Sequence, residues 1–139
     1  MHPAQQIFGV KGNSLKQKTI VLGVTSSISA VKTVELVREL IRNSANVETV
    51  LGKNAEKIIG KDSLEYATGK APISHITGQV EHVSLLGEKG DAELLLIAPC
   101  TANTIGKIVQ GIGDDTISTM ALTAIGSGKK VIIVPIKIL

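Results

Sequence analysis

Apolar positions along this chain follow two rhythms. Short aliphatic or β-branched runs stand at residues 19–24, 47–51, 94–98 and 131–134. Each is bounded by Gly, Pro, Asn or Asp, which predicts buried strands. Between them, apolar residues recur three and four apart. Ala30, Val34, Val37 and Ile41 share one face of a helix predicted to start near Ile28, and Lys32, Glu35, Arg38, Glu39 and Arg42 point outward. The polar stretch 43–46 ends that helix. Further helices are predicted from their caps. Asn54 opens one through Ile59, Asp62 one over 63–68, and Ser84 a short one. Thr101 caps a helix ending around Gly111, and Asp114 or Asp115 caps one through about Ile125. Residues 69–78 read as loop, with a brief extended piece at 73–75.

Strands alternating with helices predict an α/β protein. The expected form is a three-layer, doubly wound parallel sheet, flavodoxin-like or Rossmann-like. Residues 1–18 are polar with scattered Gly and Asn and read as an N-terminal arm. Residues 19–139 read as one domain, without repeats or linkers.

Composition narrows the function. Phe8 and Tyr66 are the only phenyl-bearing side chains, which argues against a base-stacking nucleic-acid surface. The net charge of +3 is mild and interleaved. It suits an anionic, phosphate-bearing ligand better than a nucleic-acid backbone. Cys100 is the only cysteine, so no disulfide framework or zinc spacing arises. His2, His75 and His82 do not stand at metal-ligand intervals. No signal-peptide pattern is present, and the apolar runs are too short for a bilayer. A soluble cytoplasmic protein is expected.

In such a sheet, ligands bind beyond the carboxyl ends of the strands. Thr25, Ser26 and Ser27 follow the first strand and lead into a helix, a setting that suits a phosphate. Ser26 or Ser27 equally serves as an ordinary cap. The loop lacks the second glycine of a dinucleotide fingerprint and the Gly-Lys-Ser/Thr of a P-loop. A nucleotide with one phosphate therefore fits better than NAD or ATP. After the third strand, Pro99, Cys100, Thr101, Ala102, Asn103 and Thr104 form a second polar loop. Asp114 and Asp115 precede Ser118 and Thr119, whose hydroxyls are candidates to reach a ligand. Cys100 reads as a small buried residue. His82 reads either as a surface histidine or as a titratable catalytic group.

Four motifs stand in one order: 23–32 (GVTSSISAVK), 81–85 (EHVSL), 98–107 (APCTANTIGK) and 114–119 (DDTIST). Together they resemble the homo-oligomeric flavin-containing cysteine decarboxylases. The likeness is strongest to the phosphopantothenoylcysteine decarboxylase domain of archaeal coenzyme A biosynthesis proteins, and it runs from about Lys18 to Pro135. The resemblance implies FMN, held by Thr25, Ser26, Ser27, Pro99, Thr101, Asn103, Thr104, Ser118 and Thr119. It implies His82 as the catalytic histidine and 4'-phosphopantothenoylcysteine as substrate. It also implies a trimer or higher assembly with flavin at subunit contacts, while the composition and the short apolar runs speak for no nucleic acid and no membrane. The family's reaction oxidises the substrate thiol to a thioaldehyde by hydride transfer to flavin. Loss of CO2 then leaves an enethiolate, which reduced flavin returns to a thiol.

Three positions depart from that pattern. Ser26 replaces a usual glycine, and Gly52 a usual hydroxyl residue. Pro135 is followed by Ile136, Lys137, Ile138 and Leu139 instead of the family's substrate-binding segment. The domain is therefore expected to be incomplete at its C-terminus. Two readings stay open: an FMN-dependent decarboxylase, or a catalytically incomplete FMN-binding or oligomerisation subunit of the same family.

Overall fold

The computed structural model describes residues 1–136. The expectation about the chain end rests mainly on Lys137, Ile138 and Leu139, which lie outside the described residues. Strands β1 (Thr19–Val24), β2 (Asn46–Leu51), β3 (Leu94–Cys100) and β4 (Lys130–Pro135) form one sheet. Its order is β2-β1-β3-β4 and every pairing is parallel. This is the flavodoxin-like order, with the topological switch between β1 and β3.

Alternation along each strand builds two cores. Ile20, Leu22 and Val24 of β1 face α2 (Thr33–Arg42) and α3 (Lys61–Thr68), meeting Val37, Ile41 and Leu64. Val21 of β1, with Leu95 and Ile97 of β3, faces α4 (Glu81–Leu86) and α6 (Thr116–Gly126). There they meet Leu86, Ile117 and Met120. Leu22 and Leu95 are wholly buried, and burying such a side chain stabilises by about 1.5–3 kcal/mol. On the outer strand, Ile132 and Val134 remain exposed.

Boundaries depart from the sequence expectations at four points. The helix expected from Ile28 opens as a 3-10 turn, Ile28–Lys32, and becomes α2 only at Thr33. Ser27 caps the turn by accepting from Ser29 N–H, and Thr33 Oγ1 donates to the Ala30 carbonyl. Asn54 caps nothing, because a 3-10 turn, Lys53–Lys57, begins after extended Gly52. Asp62 lies inside the first turn of α3, behind Gly60, where its charge still favours the helix dipole. Ser84 lies within α4. That helix starts from Val80 in a left-handed conformation, φ 48°. The Glu81 carboxylate accepts from Thr77 N–H and Oγ1 at 2.8 and 2.7 Å. These Thr77 hydrogen bonds hold its carboxyl below the usual range.

Residues 1–18 do not hang free. They include α1 (Pro3–Gln6), whose Ala4 is buried. The N–H groups of Gly9, Lys11 and Leu15 donate to the carbonyls of Ile41, Arg42 and Asn43. They thus serve carbonyls at the end of α2 that have no partner within the helix.

Candidate functional site

The loops after β1, β2 and β3 open onto one cavity of about 520 Å3, beyond the carboxyl ends of the strands. From the β1 loop come Thr25 and Ser26. Thr25 is buried. Its Oγ1 donates to the Pro99 carbonyl at 2.6 Å and accepts from Thr101 N–H at 3.1 Å. That one hydroxyl ties the two ligand loops together across the switch point. Ser26 is exposed to the cavity.

The β3 loop supplies Thr101, Asn103 and Thr104. Thr101 is the N-cap of α5 (Ala102–Gln110), accepting from Thr104 N–H at 3.2 Å. The two hydroxyls lie 2.9 Å apart. Asn103 is exposed on the first turn.

The β2 loop contributes Gly52, Lys53, Asn54 and Ala55. A Cβ on Gly52 would stand 3.0 Å from the Val24 carbonyl oxygen and 3.3 Å from Ile117 Cδ1. A side chain here would require Ile117 or the β1 backbone to give way by a few tenths of an ångström.

The remaining wall comes from Ser74 and His75, and from 114–117 with Lys107. Lys107 Nζ lies 2.9 Å from Asp114 Oδ1 and 2.9 Å from Asp115 Oδ2. These two carboxylates hold the ammonium protonated well above its ordinary range. Burial pushes the Asp115 carboxyl up, but hydrogen bonds from Lys107 and Ser118 outweigh it and leave it lowered. Asp115 also caps α6, accepting from Ser118 N–H at 2.7 Å in a reciprocal capping box.

Of the residues singled out in the sequence, Thr25, Ser26, Thr101, Asn103 and Thr104 meet at the cavity. Ser27, Pro99, Ser118 and Thr119 do not line it. Ser27 is spent on the cap. Pro99 is buried in β3, after a cis Ala98–Pro99 bond, and acts through its carbonyl. Ser118 is fully buried in the capping box, and Thr119 Oγ1 donates to the Gly113 carbonyl. His82 is half-buried on α4 and also lies outside the cavity lining. Its Nδ1 is buried without a hydrogen-bond partner among the described residues.

Sequence reasoning placed the 52–54 loop and the 114–119 segment at the ligand end of the sheet but missed Ala55, Ser74, His75 and Lys107 as lining residues. The expected extended piece at 73–75 was the one available hint. It is real: Ile73 makes a parallel bridge to Val50 of β2. Cys100 is fully buried, and burial pushes its thiol up to about 11. It offers no thiolate at neutral pH.

The lining fits a flavin mononucleotide in its chemistry. Hydroxyl and amide donors gather on the Thr25–Thr104 side, while Gly52, Ala55 and Ile117 give an apolar floor. Among the described residues, no cluster of His, Cys, Asp or Glu could hold a metal ion. No helix there is long and apolar enough to cross a membrane.

Residues 9–137 match the flavoprotein family. The coenzyme A biosynthesis bifunctional protein CoaBC of Thermococcus kodakarensis is 46% identical over 125 residues, which is 89% of this chain and 31% of that protein. Its counterpart in Methanocaldococcus jannaschii is 43% identical over 135 residues, 97% of this chain and 32% of that one. The chain thus spans about a third of the length of these curated relatives. The crystal structure of the FMN-dependent cysteine decarboxylase SpaF superposes with a TM-score of 0.76 at 28% identity. That match covers 89% of this chain and 71% of SpaF.

Proposed function

Because the chain belongs to the flavoprotein family, we propose that it binds FMN in the cavity beyond β1, β2 and β3. We further propose that it serves the decarboxylation of 4'-phosphopantothenoylcysteine in coenzyme A biosynthesis. One observation carries the reading: a cavity of flavin-compatible chemistry stands at the switch point of the sheet, joined across it by the Thr25 hydroxyl. The CoaBC relatives supply the substrate class.

When bound, FMN would supply reversible two-electron chemistry at the substrate thiol. The chain's own residues do the rest. Thr101, Asn103 and Thr104 orient the nucleotide at the start of α5, where free N–H groups favour an anion. The Lys107 ion pairs pin the segment carrying Thr116 and Ile117. His82 holds or moves a proton at the reacting end of the substrate.

His82 does not line the cavity of its own chain, and exposed Val80 and Val83 flank it. A homo-trimer, or a larger assembly built from trimers, with flavin at subunit contacts, accounts for both facts. The imidazole then works at a site it shares with a neighbouring copy, and its orphaned Nδ1 gains a partner there. The same reading puts the protein in the cytoplasm.

Purified protein incubated with FMN and then freed of unbound flavin by gel filtration should retain a flavin visible spectrum. Anaerobic incubation with 4'-phosphopantothenoylcysteine should then release CO2, and His82→Asn should abolish that release while flavin stays bound. Activity that survives His82→Asn would overturn the catalytic assignment. Flavin binding without CO2 release would favour the second reading, an FMN-binding subunit without activity of its own, which the separation of His82 from the cavity also suits.

A further inference from the structure

We infer that Lys53 and His75 form a polar lip that reads the phosphate of the nucleotide. The inference rests on the FMN reading and deepens it.

The charges lining the cavity are Lys53 after β2, Lys107 on α5, and Asp114 and Asp115 before α6. Lys107 is committed to both aspartates at 2.9 Å. The two lysines and two aspartates cancel, so the cavity has no net charge to offer a phosphate dianion. Among the described residues Lys53 has no carboxylate partner, and it is exposed on the lining. The other ionisable group on the lining is His75.

The backbone brings both segments to the same cavity. Ile73 N–H donates to the Thr49 carbonyl at 2.8 Å, and Leu51 N–H donates to the Ile73 carbonyl at 2.9 Å. The Val50–Ile73 bridge is parallel, so the two segments run the same way from it, and Lys53 and His75 both come to line the cavity. Thr116 Oγ1 donates to the Ser74 carbonyl at 3.0 Å and anchors the segment from the α6 side. His75 is thus held by its backbone at the cavity edge, while its imidazole is exposed and borders the cavity. Neutral donors at Thr101 and Thr104 cannot distinguish a phosphate from a hydroxyl by charge. A lysine can by its charge, and an imidazole on the same lining can add a hydrogen bond to a phosphate oxygen.

The test is a fluorescence titration of the intact chain with FMN and with riboflavin, which lacks the phosphate, at low ionic strength. It compares the unaltered protein with His75→Gln and Lys53→Gln at pH 6.5. Both positions are exposed, and circular dichroism checks that the variants are folded. At pH 6.5 each substitution should weaken FMN by roughly three- to tenfold, the size of one partly solvated charge pair, and leave riboflavin within about twofold. If both variants keep the unaltered FMN-to-riboflavin ratio, the inference is wrong and the FMN reading stands. If the unaltered protein binds neither flavin, both fall together.

Discussion

Ser26 and Ser27 are chemically identical neighbours with opposite uses. Ser27 turns inward to cap the Ile28–Lys32 turn, and Ser26 stays open to the cavity. Nothing in the pair of letters separates them, because either hydroxyl suits a cap. Thr25 has the more consequential role. Thr25→Val keeps the shape but strands the Thr101 N–H and leaves the Pro99 carbonyl only the longer bond from the Thr25 N–H, at 3.4 Å. It should cost about 1–3 kcal/mol in urea unfolding and weaken flavin binding by loosening both loops. Gly52→Ala should also destabilise, by about 1–2 kcal/mol, since its Cβ meets a backbone oxygen that does not yield easily. Gly52→Ser would carry the same steric cost. Cys100 should resist iodoacetamide at pH 7.5 until the protein is unfolded, because burial holds it as a thiol. Mass spectrometry of the native and urea-treated protein checks this.

Helix ends were the most legible elements when their caps were local. Thr101 and Asp115 cap α5 and α6 as their sequence context predicts. Asn54, Asp62 and Ser84 have equally good credentials but do not cap, because packing started their helices elsewhere. The Asp115 carboxyl ionises more easily in the folded chain than its ordinary value implies. Its contribution is therefore present above the unfolded carboxyl range, near pH 4, and is lost as pH falls through the lower folded value. Asp115→Asn keeps a capping side chain but removes the charge facing Lys107. The stability gap between this variant and the unaltered protein should be widest near neutral pH and close below about pH 4. Urea unfolding from pH 3 to 7 measures it. Asp115→Ala should lose about 1 kcal/mol more through the missing cap.

At the scale of the whole molecule, residues 1–18 belong to the packing. Their N–H groups finish the end of α2, and Ala4 is buried. Removing residues 1–11 should lower the melting temperature in calorimetry, with two of those terminal hydrogen bonds lost at about 1 kcal/mol each. Sizing with light scattering should give at least a trimer, and a monomer would count against a flavin site shared between copies. By itself the sequence determined the α/β class, the four strands, the local caps and the residue types from which a flavin site is built. These depend on periodicity and on neighbours three or four positions apart, which the chain carries locally. Tertiary structure alone decided which of those residues meet. Strand order β2-β1-β3-β4 brings Thr25 to Thr101 across 76 positions and Ser74 to Thr116 across 42. It also turns Ser118 into the core and leaves His82 outside the cavity. Register and crossover are set by how whole layers bury their apolar faces, so no short stretch of sequence contains them.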